Sequence, residues 1–168
     1  MVFRFPAPRW VALVAALFLS ASCHAQKTCP WMNAATAAGF LGGPVTSAVL
    51  PAGKDSQDAT CDFVSQHAKG QSTLKIVVAT MGHPRQQFES YARQCGTNAV
   101  PLKAIGNEAI ECAADTSSGR SVRVIGRVRN RAFVVTVNNL LSDGVAASQN
   151  EQMEKTRHVA EQVSEALY

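Results

Sequence analysis

The sequence has no Gly-x-Ser-x-Gly elbow, no glycine-rich phosphate loop and no cysteine pair spaced as C-x2-C. The first absence removes the turn that exposes a serine nucleophile. The second removes a nucleotide-phosphate cradle, and the third the close ligand pairs of a zinc site. Histidine is scarce, with only His67, His83 and His158 beyond residue 25. His67 falls in a polar turn, His83 precedes Pro84, and His158 sits on an outer helix face. Each is expected as solvated surface rather than as a catalytic base. Asp55, Asp58 and Asp62 are near one another, but without the spacing of an EF-hand. There is no internal repeat and no low-complexity tract. No catalytic residue, metal site or cofactor is expected, and the chain is read as a non-enzyme. Long apolar runs are missing too. The run at 10–19 (WVALVAALFL) has ten residues, where about 20 are needed to span a bilayer.

That run has the right length for the core of an export signal. Arg4 and Arg9 precede it, and the small residues Ser20, Ala21, Ser22, Cys23 and Ala25 follow. Residues 1–25 are therefore read as a signal peptide, and 26–168 as one exported domain. Cleavage after Ala25 leaves Gln26 first. The alternative is lipid attachment at Cys23, because 19–23 (LSASC) resembles a bacterial lipoprotein signal. Leu19 stands one position too far from the cysteine, so simple secretion to the periplasm or medium is preferred over a lipid anchor. The processed chain would carry no transmembrane segment. Losing Arg4 and Arg9 leaves 14 Lys and Arg against 12 Asp and Glu, too small an excess to indicate nucleic acid as a partner.

With Cys23 set aside, four cysteines remain: Cys29, Cys61, Cys95 and Cys112. An even number in an exported chain reads as two disulfides. Three connectivities exist. Sequential pairing, Cys29 with Cys61 and Cys95 with Cys112, is preferred because it joins neighbouring elements. The intervening 31, 33 and 16 residues do not suit zinc.

The segment 121–139 (SVRVIGRVRNRAFVVTVNN) organises the rest. Two β-branched runs, 122–128 and 133–137, flank the polar tip Arg129-Asn130-Arg131, with Asn130 the natural residue for positive φ. Earlier in the chain, Asn33 can cap a helix over Ala34–Leu41 that ends at Gly42-Gly43-Pro44. Trp31, Met32, Phe40 and Leu41 read as core anchors of that helix rather than as a ligand platform. An edge strand over 46–50 precedes an exposed loop, and strands follow at 61–65 and 73–81. In the latter, Leu74, Ile76 and Val78 share one face, and the Lys75, Val77, Ala79 face is expected to be covered as well. Pro84 opens a helix over 85–95 with a Phe88, Tyr91, Ala92, Cys95 stripe and Gly96 beyond its end. Residues 100–106 read as a linker, 108–114 as a strand and 115–120 as a turn. After the hairpin and a connection at 140–147, Ser148 and Glu151 form a capping box. The last helix buries Met153, Thr156, Ala160, Val163 and Leu167, with Glu151–Lys155 and Glu154–His158 as outward pairs. The sum is α+β: an antiparallel sheet of about five strands packed by three helices, an α/β sandwich.

The opening CPWMNAATAAGFLG at 29–42, Cys61-Asp62-Phe63, Gly106-Asn107-Glu108-Ala109, a basic hairpin tip and a last helix occur in this order. This arrangement resembles a module of small exported bacterial proteins, many of them lipoproteins, with a PsbP-like fold. The resemblance covers most of the exported domain. It implies that fold, a cell-envelope location and a Cys29–Cys61 bridge. It implies no activity, and Cys95 and Cys112 are not part of its motifs.

Arg123, Arg127, Arg129 and Arg131 occupy odd positions along the hairpin, which in an unbroken strand is one face. They are either a patch for an anionic envelope component or acidic protein, or a solvated face whose charge discourages sheet aggregation. The expected function is a non-catalytic binding or accessory domain of the envelope. One alternative is a thiol–disulfide protein using Cys95 and Cys112, which requires both thiols free and exposed. The other is a structural subunit of an envelope assembly, which requires an apolar surface patch.

Overall fold

The computed structural model describes residues 28–51, 58–116, 119–142 and 145–168. Residues 1–25, expected as a signal peptide and including Cys23, and Asp55 lie outside the described residues.

Asn33 starts α1 (Ala34–Leu41) by accepting from Thr36 N–H at 2.8 Å. Gly42 stops it at φ 76°, a left-handed conformation glycine adopts without strain. Seven strands then form one sheet: β1 (Val45–Pro51), β2 (Ala59–His67), β3 (Gly70–Thr80), β4 (Val100–Leu102), β5 (Glu108–Thr116), β6 (Gly119–Val128) and β7 (Arg131–Asn138). Their spatial order is β1-β2-β3-β7-β6-β5-β4, and every neighbouring pair is antiparallel. α2 (Pro84–Ala92) leads into a 3-10 segment, Arg93–Asn98. A short ribbon of β8 (Leu141–Ser142) and β9 (Val145–Ala146) precedes α3 (Gln149–Ala166). The class is α+β with three helices, as expected, and the β6–β7 hairpin lies at the centre of the sheet.

The sheet has seven strands rather than about five. The segment 100–106, expected as a linker, contains β4 with Pro101 at its centre. β4 is an edge strand paired only with β5, where a proline's missing N–H can face outward without breaking a ladder bond.

Alternation assigns the core. Cys61 and Phe63 on β2, Leu74, Ile76 and Val78 on β3, and Phe133, Val135 and Val137 on β7 are all buried on one face. Val124 and Val128 of β6 join them. α1 covers β1, β2 and β3 on this side, and α3 lies over β6 and β7. Gly126 is the cross-strand partner of Phe133, and a Cβ at Gly126 would land inside the Phe133 ring. The glycine is therefore needed where the aromatic folds over its neighbour's backbone. Trp31, Met32 and Leu41 are buried in this core and Phe40 packs against it.

The second face is only partly covered. α2 packs on β6 and β7 through Phe88, but Lys75 is exposed and Val77 and Ala79 are half-buried. α2 ends at Ala92 and packs on β6 and β7 rather than on β3, which leaves the β3 part of that face open. The chain then tightens into the 3-10 segment and breaks at Gly96 with φ 60°.

Two disulfides pin the periphery. Cys29–Cys61 ties the segment before α1 to β2, and Cys95–Cys112 ties the 3-10 segment to β5. At α3, Ser148 Oγ accepts from Glu151 N–H at 3.2 Å. Lys155 pairs with Glu151 at 3.1 Å, whereas His158 stands by Glu161 at 3.7 Å rather than by Glu154. The buried stripe includes Gln152, a residue that a purely apolar pattern passes over.

One ion pair crosses the core. Glu111 of β5 is fully buried, and Arg157 of α3 reaches it from the part-exposed helix flank. Arg157 Nε donates to Glu111 Oε2 at 2.9 Å, and Nη2 donates to the same oxygen, while Oε1 has no partner. Removing the arginine would strand a buried carboxylate. Arg157→Ala is expected to cost about 3 kcal/mol, the low end for breaking a buried pair because Arg157 is itself part-exposed. The double variant Glu111→Met/Arg157→Met should cost less than that single one. Urea unfolding of the two variants checks the order, and a double variant weaker than Arg157→Ala would refute it.

Candidate functional site

The four hairpin arginines do not form one patch. Arg123 and Arg127 lie on the α2 side of β6, whereas Arg131 shares the core side with Phe133. Arg127 Nε donates to Glu108 at 2.6 Å and its Nη1 to Arg129 O at 2.8 Å. Arg123 donates to Gln94 Oε1 at 3.2 Å. The Arg129 guanidinium sits 5.9 Å from the centre of the Tyr168 ring. The two-residue turn puts its left-handed position at Arg129 (φ 53°) rather than at Asn130. Outside bonds hold it there: Arg129 N–H donates to Asn107 Oδ1 at 2.6 Å, and Met81 N–H donates to Asn130 O at 2.8 Å.

The Gly106-Asn107-Glu108-Ala109 run braces the same tip. Gly106 has φ 62°, and a Cβ there would strike Arg127 O. Asn107 N–H donates to that oxygen at 2.7 Å. A short motif that sequence alone could only match to other chains thus has a local structural role.

The opposite end of the sheet is more open. The β2–β3 turn, the start of β6, the end of β7 and the first turns of α3 enclose a cleft of roughly 510 Å³. Leu140 and Ala147, both buried, give it an apolar floor. Lys69, Gln71, Arg120, Asn139 and Gln152 contribute polar groups. A second hollow of roughly 450 Å³ shares Gln71, Gly119, Arg120 and Asn139 with it.

Its walls are held by specific bonds. Asn139 turns the chain at φ 49°, and its N–H donates to Arg120 O at 2.8 Å. The Asn139 side chain occupies the space where a Cβ on Gly119 would be. Gln152, 1% exposed, donates from Nε2 to Val137 O at 2.9 Å and to Arg120 O at 3.4 Å. Arg120 Nε donates to Asp115 Oδ1 at 2.9 Å.

Beside the cleft is a contact that the sequence did not suggest. Ser72, expected as an ordinary turn residue, is fully buried and lies 3.2 Å from His67 Nε2. His67 is half-buried rather than solvated. Ser72 Oγ also donates to Asn139 O at 2.9 Å, so the pair clips the turn to the end of β7. The residues are five apart across a β-turn, a spacing with no motif to flag it. His83, Asp58 and Asp62 are elsewhere. Asp58 receives Thr80 N–H at 2.9 Å, and Asp62 is 3.8 Å from Lys75.

Cys95 and Cys112 are bonded to each other, and both are half-buried. Among the described residues no cluster of three His, Cys, Asp or Glu could hold a metal, and no helix is long and apolar enough to cross a membrane. Set against protein-family models, curated proteins and solved structures, the chain matches none.

The cleft wall gives a direct test. Gly119 has φ 118° and no room for a Cβ, whereas Gly39 in α1 has nothing within 4 Å of the added atom. Gly119→Ala is expected to lose about 2 kcal/mol through strain and displacement of Asn139. Gly39→Ala should gain about 0.5–1 kcal/mol from helix propensity. Chemical denaturation of both checks the contrast, and equal effects would overturn it.

Proposed function

We propose that this chain is an exported, disulfide-stabilised domain of the cell envelope that binds a ligand without transforming it. The observation that carries the proposal is the cleft at the turn end of the sheet. Its volume of roughly 510 Å³ falls within the roughly 300–1,000 Å³ typical of small-ligand sites. An apolar floor bordered by a few placed polar groups is the usual composition of such a site. Lys69 and Arg120 outnumber the one lining carboxylate among the described residues, Asp115, which Arg120 holds, so the net charge favours a ligand with an acidic group, and Leu140 and Ala147 favour one with an apolar part. The class that combines them is an anionic envelope component.

Other features support the setting. Two disulfides fit an oxidising compartment outside the cytoplasm. The short apolar run and small residues at 10–25 support export, with cleavage after Ala25 preferred to lipidation at Cys23. The antiparallel sheet with helices on it is compatible with a PsbP-like fold. The cleft is favoured over the hairpin arginines because it is concave with an apolar floor, whereas Arg123 and Arg127 lie on one face of the sheet and Arg131 on the other.

Calorimetric titration of the oxidised, exported protein tests the assignment, with soluble peptidoglycan fragments and anionic-phospholipid vesicles as separate probes. One probe is expected to bind. The double variant Lys69→Glu/Arg120→Glu should weaken it at least tenfold, about 1.4 kcal/mol, while Arg129→Glu leaves it unchanged. Loss with Arg129→Glu alone would move the site to the hairpin. Failure of both probes would remove the anionic-ligand reading.

A further inference from the structure

We propose that the outer edge of β1 is a docking edge for a second copy of this chain, joining two sheets through antiparallel β1–β1 pairing. β1 is the terminal strand of the sheet and pairs only with β2. It therefore presents an outer row of backbone donors and acceptors, to which no neighbouring strand is bonded among the described residues. An exposed strand edge is a template for further pairing, and proteins guard such edges with charge, proline, bulges or brevity.

The two edges of this sheet are guarded very differently. β4 has three residues, a central Pro101, and Lys103 directly after it. β1 has seven residues, VTSAVLP, none of them charged, with prolines only at its two ends, Pro44 directly before it and Pro51 its last residue. Its register with β2 runs without a bulge from Val45–Ser65 to Pro51–Ala59. Leu50 is 63% exposed on this strand, a large apolar side chain left in water. An edge that is regular, neutral and unguarded between its ends is what an interface between strands requires.

Charge and pattern select the occupant. A neutral strand meets no repulsion when paired with itself. Full antiparallel overlap of β1 with a second β1 centres on Ala48, which then faces the second copy's Ala48, and sets Thr46 opposite Leu50. Cross-strand partners share a face. The half-buried Val45, Ser47 and Val49 therefore stay on the core side in both copies, and the two cores abut. Because the pairing is isologous, it closes at two copies, and the guarded β4 edges prevent further growth. A single strand pair buries less than the roughly 1,600 Å² of a standard interface, so the dimer should be weak and concentration-dependent.

Sedimentation velocity of the oxidised, exported protein from about 1 to 500 µM, a span chosen for micromolar association, tests this. The mass is expected to rise from one copy to two and stop. Ala48 is exposed, so substitution there leaves the fold intact. Ala48→Lys and Ala48→Glu each place like charges face to face and should weaken the dimer about tenfold or more. Mixing the two variants should restore it. A protein that stays monomeric throughout would overturn the proposal, including one whose β1 is covered by another segment of the same chain. Growth beyond two copies, a dimer indifferent to Ala48→Lys, or a mixture that fails to recover would each overturn it as well.

Discussion

The fold depends on Phe133 lying across Gly126. This pair fixes the β6–β7 register, because a slip by one residue would set the ring against a side chain and turn every alternate residue to the other face. With the register set, Val124 and Val135 face the same side, and β3 must present Leu74, Ile76 and Val78 to match them. β2 follows from β3, which directs Cys61 inward at Ile76 and within reach of Cys29. α1 and α3 then have one apolar surface to cover, and only that surface is fully closed. The uncovered part of the second face follows from this one-sided packing.

Charged side chains near the sheet are mostly committed to bracing it. Arg127 secures β5 against β6 and the tip against itself. Arg123 reaches the 3-10 segment, and Arg157 holds α3 to the buried Glu111. A guanidinium with several donors in a fixed fork suits this use, since one side chain can satisfy a carboxylate and a backbone carbonyl together. Counting arginines on a strand therefore overstates the charge available to a partner.

Local signals were legible and long-range ones were not. Asn33 before an alanine-rich run and Gly42 after it define α1 to the residue, and Ser148 with Glu151 marks the start of α3. The β-branched hairpin is equally plain, because its period repeats within a few residues. β4 was hidden by Pro101, whose tolerance depends on being at an edge, a property of topology rather than of sequence. α2 was read too long because the stripe through Cys95 continues while the backbone does not. Asn130 looked like the left-handed residue, but Asn107, over twenty residues away, transfers that strain to Arg129. Glu111, Gln152 and the Ser72–His67 contact are polar groups that only their distant partners make admissible in a core. The cleft itself is assembled from four separated segments, none distinctive alone.

The Ser72–His67 contact shows how a third group decides chemistry. Activation of a serine requires its proton to move to the imidazole. Here the Asn139 carbonyl stands 2.9 Å from the same hydroxyl and competes for that single proton. Ser72 is also fully buried, which leaves no path for a substrate carbonyl to approach. The same pair that could begin a catalytic relay in an open cleft instead fastens the β2–β3 turn to the end of β7. That fastening keeps Asn139 in its left-handed turn and Gly119 beneath it, and so keeps the wall of the neighbouring cleft in place. Polar residues that look catalytic by type thus fix the shape of the cleft.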